Sequence, residues 1–251
     1  AAPPTLVYCV PHGRNHARHL TVPDVGIGAV TDILYAMQTT ASPRLTVVAH
    51  PLVLDCVRRL RDVDTTTEGF RQAARLLTQL ILFEATRDLT VTETTVATPL
   101  ETTPAWRLAT EMVLVPVLRS GLAMLETATT MFPAARVGFV GLERDESTAV
   151  AHGYYRKLPP RLDGSTVMIL EPMLATGGSA CATLDIVAQA GVTDVRVVCT
   201  VAAPEGVAAV AARHPHCAVF AAALDRGLNE RKYILPGLGD FGDRYFGTIA
   251  H

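Results

Sequence analysis

The sequence predicts an α/β fold: a mainly parallel twisted sheet flanked by helices, with a lid hairpin and an N-terminal helical extension. Three observations carry this. The chain has 251 residues, 49% of them hydrophobic, and a mean hydropathy of +0.27, a balance that suits strands covered on both faces. From Met112 onward, short apolar strands alternate with helical stretches, the pattern of a parallel sheet with right-handed crossovers. Before that alternation stand two helical segments whose apolar stripe needs a large surface to pack on.

Taken in order, residues 1 to about 43 are broken into short pieces by Pro3, Pro4, Pro11, Pro23 and Pro43. They read as an extension, giving a division into 1–48 and a single domain over 49–251. His12, His16 and His19 fall at i, i+4 and i+7 and could line one helix face. Without a neighbouring carboxylate or thiol, that spacing favours a solvated extension over a metal site. A helix is expected from Pro51. Thr65-Thr66-Thr67-Glu68 reads as a capping box with Thr65 as the cap, opening a helix with the stripe Phe70, Ala73, Ala74, Leu77, Leu80 and Ile81. Strands follow at Met112 to Pro116, Arg136 to Leu142, Thr166 to Leu170, Val195 to Val201 and Cys217 to Ala223. Helices lie between them: from Gly121 to about Met131, from Ser179 to the terminator Gly191, and from Glu205 to Arg213.

Composition excludes several classes. With 22 basic and 24 acidic residues the net charge is −2, which gives nucleic acid no clustered cations to bind. The longest apolar run, about Cys217 to Leu224, falls well short of the ~20 residues of a membrane span. Five cysteines (Cys9, Cys56, Cys181, Cys199, Cys217) form no C-x-x-C pair, so buried reduced thiols in a cytoplasmic protein are expected.

Ligands of parallel sheets bind beyond the carboxyl ends of the strands, so the residues after each strand are the first candidates for a site. After the third strand comes Glu171-Pro172-Met173-Leu174-Ala175-Thr176-Gly177-Gly178-Ser179, then a helix. Gly177 and Gly178 let backbone amides approach an anion, and the helix start offers free N–H groups to a phosphate. Thr176 and Ser179 add hydroxyls, while Glu171 is placed for sugar hydroxyls or a hydrated Mg²⁺. After the first strand, Arg119-Ser120-Gly121 suits a second anion. After the second, Glu143-Arg144-Asp145-Glu146 leads into a polar excursion through His152, Tyr154, Tyr155, Arg156 and Lys157, read as a lid over the site. Gly237-Leu238-Gly239-Asp240-Phe241-Gly242 matches G-x-G-x-x-G but has too little chain after it for a dinucleotide unit, so it reads as a rigid pocket loop.

These residues resemble the uracil phosphoribosyltransferases. The resemblance rests on Glu171 through Ser179, Ala202-Ala203-Pro204-Glu205-Gly206, Gly227-Leu228-Asn229-Glu230 and Tyr233-Ile234-Leu235-Pro236-Gly237-Leu238-Gly239-Asp240. His50-Pro51-Leu52-Val53 and Glu84-Ala85-Thr86-Arg87-Asp88-Leu89 fit as well, and Phe241 with Asp243 to Thr248 is similar to the eukaryotic, protozoan-type ending. The resemblance runs in order from about His50 to Thr248.

What the resemblance implies is transfer of the phosphoribosyl group from 5-phosphoribosyl-1-diphosphate (PRPP) to uracil, giving UMP and pyrophosphate with Mg²⁺. Glu171 through Ser179 would hold the ribose hydroxyls and 5′-phosphate, with Arg119 and Arg144 on the pyrophosphate. Uracil would be read by backbone groups around Ile234 and Gly239 to Phe241, with Asp240 near N1 and the metal-bound waters. No direct protein ligand to the metal is implied. A cytoplasmic homodimer and GTP binding are implied as well. Two positions depart from the family: Glu171 stands where Asp is usual, and Ser120 where Ala is usual. Two other readings stay open on the residues alone: a PRPP- or uridylate-binding regulatory homologue with little turnover, which Glu171 favours, and a transferase for another base.

Overall fold

A computed structural model of the chain describes residues 45–144 and 151–248. The extension with Cys9, His12, His16 and His19 lies outside the described residues, as do Asp145 and Glu146. The sheet begins inside the segment assigned to the extension, because β1 (Leu45–Val47) pairs in parallel near the far end of the chain, Leu45 opposite Val219. His50 then caps α1 (Pro51–Arg61), its Nδ1 accepting the Leu52 amide at 3.1 Å, with Pro51 at the helix start, where its missing N–H is not needed. In α2 (Thr67–Ala85) the cap is displaced by one residue from the expected box. Thr66 accepts the Gly69 amide at 3.2 Å, while the Thr65 hydroxyl donates to the Arg59 carbonyl at 2.6 Å and so ties the two helices together. Phe70, Ala73, Ala74, Leu77 and Ile81 are buried, as their spacing predicts.

A hairpin follows, β2 (Val91–Ala97) and β3 (Thr102–Leu108), which forms its own two-stranded sheet apart from the central one. Then the alternation begins with β4 (Met112–Leu118) and α3 (Leu122–Met131). The second expected strand is split at Gly138 into β5 (Arg136–Val137) and β6 (Phe139–Arg144). The polar excursion returns as β7 (Ala151–Lys157), antiparallel to β6, so the two form a hairpin at the sheet's edge. The rest follows in order: β8 (Thr166–Leu170), β9 (Met173–Leu174), α4 (Gly178–Ala188), β10 (Asp194–Ala202), α5 (Pro204–Arg213) and β11 (Ala218–Leu224). A small ribbon, β12 (Gly227–Leu228) with β13 (Ile234–Leu235), leads to α6 (Phe241–Phe246).

The strand order is β1-β11-β10-β8-β4-β6-β7, parallel throughout except for β7. Side chains alternate across the sheet with a period of two. Met112, Leu114, Met168, Leu170 and Val198 face α1, α2, α3 and α6, whose Leu60, Leu77, Met124 and Phe241 complete that core. Val113, Val115, Val117, Val167, Ile169 and Val197 face α4 and α5 on the other side, against Leu184, Val187, Val207 and Val210. This is why the strands read as continuous apolar runs. Cys56, Cys181, Cys199 and Cys217 are free thiols in these cores, and burial pushes Cys217 up to about 12, which leaves it unreactive. Among the described residues, no helix is long and apolar enough to cross a membrane.

Candidate active site

Because β4, β6, β8, β10 and β11 run parallel, their carboxyl ends share one edge, and the segments after them share one rim. Arg119 follows β4 directly and is exposed there. The turn behind it is tight: a Cβ on Gly121 would stand 2.4 Å from the Leu170 carbonyl oxygen, so only glycine lets this loop lie against the end of β8. The Leu118–Arg119 and Leu235–Pro236 peptide bonds are cis.

The segment after β8 is held down by β10. The Pro172 carbonyl accepts from the Thr200 and Val201 amides at 2.9 and 3.1 Å, and the Leu174 carbonyl accepts from Ala203 at 2.9 Å. Gly177 then takes a left-handed conformation, φ +79°, as the cap of α4. The cap Gly177 brings no side chain to this helix and no acidic residue sits in its first turn, so its positive end faces the rim. The Thr176 hydroxyl stands beside it, accepting the Gly178 amide at 3.4 Å. The turn also rests on the start of α5, where a Cβ on Gly206 would come within 2.5 Å of the Ala175 carbonyl oxygen. Backbone amides, a hydroxyl and a helix dipole converge here, the chemistry that receives a phosphate.

Glu171 lies at the tip of β8 and is only 7% exposed. Its Oε2 is buried without a hydrogen-bond partner among the described residues. Burial pushes the carboxyl up to about 8, against a smaller opposing effect of the Met173 amide. Burial thus favours the neutral form of this carboxyl.

The third segment runs from β13 to α6. Asp240 caps α6, its Oδ1 accepting the Asp243 amide at 2.8 Å. The Phe241 ring points into the core, edge-on to Phe70 at 5.2 Å between centroids and stacked on Tyr245 at 6.0 Å. Ile234 is buried too, whereas Gly239 and Asp240 are exposed. Side chains at Ile234 and Phe241 thus anchor the loop, while Gly239 and Asp240 stand exposed between them. A Cβ on Gly242 would stand 3.9 Å from that of Ser120, so this segment meets the Arg119 turn.

The rim therefore brings together Arg119, Glu171 through Ser179, and Ile234 through Phe241. Arg144 ends β6 on the same edge, and its side chain lies outside the described part. Sequence reasoning misses two residues, Asp225 and its partner Arg61. Asp225, one position beyond β11, is buried and paired with Arg61 at 2.6 Å. The rule that singles out Glu171, an acid at a strand tip, also marks Asp225. A hollow lined by Thr110, Glu111, Arg136 and Arg161 opens at the opposite edge of the sheet, where Arg136 is already paired with Glu111 at 2.8 Å.

A parallel α/β sheet with its ligand-facing turns gathered over one carboxyl edge defines the class. The sequence model of the uracil phosphoribosyltransferase family matches residues 47–248, and the chain belongs to that family. It is 42% identical over 203 residues to the uracil phosphoribosyltransferase of Mycoplasma mycoides, covering 81% of this chain and 98% of that one. The Symbiobacterium thermophilum enzyme of the same name is 45% identical over 206 residues, covering 82% and 99%. The solved structure of an Aquifex aeolicus protein matches with a TM-score of 0.79 at 36% identity, covering 82% of this chain and 100% of that one.

Proposed function

We propose that the protein transfers the 5-phosphoribosyl group of PRPP to uracil, giving UMP and pyrophosphate, as a cytoplasmic enzyme of pyrimidine salvage. Membership of the family supports the reaction, and the observation that carries it to particular residues is the start of α4 behind Glu171, with no side chain on its Gly177 cap and no acid in its first turn, at the carboxyl edge of the parallel strands. The catalytic unit is residues 49–251, to which β1 adds an edge strand.

In this reading, Gly177, Gly178 and the hydroxyls of Thr176 and Ser179 hold the 5′-phosphate, and Glu171 with the backbone of Pro172 through Ala175 shapes the ribose site. Arg119 and Arg144 take the pyrophosphate. The bond from C1′ to pyrophosphate oxygen breaks, the bond from C1′ to uracil N1 forms, and the N1 proton passes to Asp240. Asp240 has one oxygen fixed by its capping bond, which holds the carboxylate still and leaves Oδ2 for the proton. Positive charge builds on the ribose and negative charge on the leaving group, where positioned arginines stabilise it.

Mg²⁺ fits the donor set. It prefers hard oxygen ligands and keeps its waters, and the rim offers the carboxyl oxygens of Glu171 and Asp240. No group of three or more His, Cys, Asp or Glu suited to a metal occurs among the described residues, so the ion would be held mainly through PRPP and water. When bound, it neutralises the departing pyrophosphate.

A homodimer belongs to the same reading, and so does GTP as an additional ligand. The β2–β3 hairpin supports the dimer: it carries Leu100 and Trp106, 96% and 67% exposed, as well as Val91, Val96 and Leu108. Incubating labelled uracil with the protein, PRPP and Mg²⁺ tests the reaction. UMP should form, and only with all three present; uracil left unconverted under these conditions would refute the assignment.

A further inference from the structure

The segment proposed to read the base runs from Ile234 to Phe241, and its midpoint is gripped by residues from two distant parts of the chain. Asp225 Oδ2 accepts the Gly237 amide at 2.8 Å. Arg61, the last residue of α1, donates from Nη2 to Asp225 Oδ1 at 2.6 Å and from Nη1 to Oδ2 at 3.1 Å. The same Nη1 reaches the Gly237 carbonyl at 3.2 Å. One ion pair, with the aspartate side chain 3% exposed and the arginine 27%, thus holds both backbone groups of Gly237. Gly237 has φ +59°, and a Cβ there would lie 2.2 Å from the Ile234 carbonyl oxygen, so the turn is closed tightly around that grip.

Arg244 ties the same elements in the opposite direction. From α6 it donates to the Leu238 carbonyl at 2.8 Å, to the Asp62 carbonyl at 2.5 Å and to the Leu60 carbonyl, with its guanidinium 4.6 Å from the Phe70 ring centre. The end of α1 and the loop are therefore joined by two guanidinium groups: Arg244 takes the Leu238 carbonyl, while Arg61 with Asp225 holds both the amide and the carbonyl of Gly237, between the two stretches of backbone assigned to the base.

We propose that Arg61 and Asp225 are positioning residues for base selection: by gripping Gly237 they set the separation between the backbone at Ile234 and that at Gly239 to Phe241. This rests on the reading of the protein as a uracil enzyme. Backbone groups cannot adjust by changing rotamer as side chains do, so readout by them depends on the loop's spacing, and a displacement of about 1 Å at a reacting centre costs ~10²-fold. A pair serving only to dock α1 would, when broken, disturb both substrates alike.

Steady-state kinetics with uracil and PRPP varied separately, on Arg61→Gln, Arg61→Lys and Asp225→Asn, distinguishes these cases. The expected result in Arg61→Gln and Asp225→Asn is a KM for uracil raised about tenfold or more, with preference for uracil over cytosine narrowed by a similar factor. The KM for PRPP should stay within about twofold of the unmodified protein. Arg61→Lys keeps the charge but not the fork, and should recover part of the loss. Equal rises in both KM values, or an unchanged KM for uracil and unchanged selectivity, would overturn the proposal. Should Arg61→Gln fail to fold, the lysine variant carries the same test, with a smaller rise confined to uracil. An unmodified protein that makes no UMP would instead overturn the underlying reading, and that shows before any variant is made.

Discussion

Glu171 is the residue where physical chemistry and family pattern pull apart. Its carboxyl is buried with one oxygen unpartnered, and its pKa rises from 4.5 to about 8. A carboxyl whose folded-state pKa is raised holds a proton that the unfolded chain releases. Its contribution to stability is fully present below about 4.5 and is lost as pH rises through about 8. Glu171→Gln keeps the neutral form at every pH. Thermal denaturation of the ligand-free proteins should therefore show the native Tm falling relative to that of the variant across this window; parallel curves would mean that the carboxyl is not held neutral. In turnover the same substitution should act the other way. Ribose hydroxyls donating to the site favour the charged form, and an amide N–H₂ would face them instead, so kcat/KM for PRPP should drop sharply. Glu171→Asp should keep activity within about tenfold, ~1.4 kcal/mol of barrier. A native protein that binds PRPP but turns over only after Glu171→Asp would favour the regulatory alternative. At Arg119, exposed at the rim, replacement by Ala should raise the KM for PRPP and leave Tm unchanged, which kinetics and a melting curve together would check.

Among the elements, the turn proposed to hold the phosphate packs closely on the start of α5. Gly206 opens α5 against the carbonyls of Leu174 and Ala175, whose oxygens would stand 2.7 and 2.5 Å from an added Cβ, so Gly206→Ala must push the turn away. PRPP affinity should fall at least tenfold while uracil selectivity is kept; unchanged PRPP kinetics would mean that the turn tolerates the shift. The strands and helices around this turn are legible in the sequence because burial on both faces writes apolar runs, and helical stripes such as Phe70 to Ile81 need a partner. The β2–β3 hairpin is not legible: Val91–Ala97 is rich in Thr and mostly exposed on both faces, so no burial pattern marks it. The displaced cap at Thr66 escapes sequence reasoning because three consecutive threonines offer three equivalent hydroxyls, and the choice is made by the Arg59 carbonyl, which takes Thr65. The rim loops are legible from their glycines and charges, whereas the Arg61–Asp225 grip joins residues 164 positions apart: the strand-tip position marks Asp225, but nothing local marks Arg61 as its partner.

At the scale of the whole molecule, the hairpin is the feature that a single chain does not explain. Trp106 at 67% exposure and Leu100 at 96% stand on a ribbon outside the central sheet, which is unfavourable in water unless something covers them. If a second copy does, Trp106→Glu should shift the mass measured by light scattering from dimer to monomer; a monomeric native protein, or an unaltered dimer in the variant, would count against this surface. The central claim is larger: one edge of one sheet holds a phosphoribosyl donor and reads a pyrimidine by its backbone. Cytosine presents a donor at position 4 and an acceptor at position 3 where uracil presents the reverse, and groups left unpaired in a closed loop reject it strongly. The most direct measurement is kcat/KM for nucleotide formation from PRPP with uracil and with cytosine as competing bases. The account predicts UMP as the product, with cytosine disfavoured by ~10⁴ or more; comparable turnover of the two bases would contradict it.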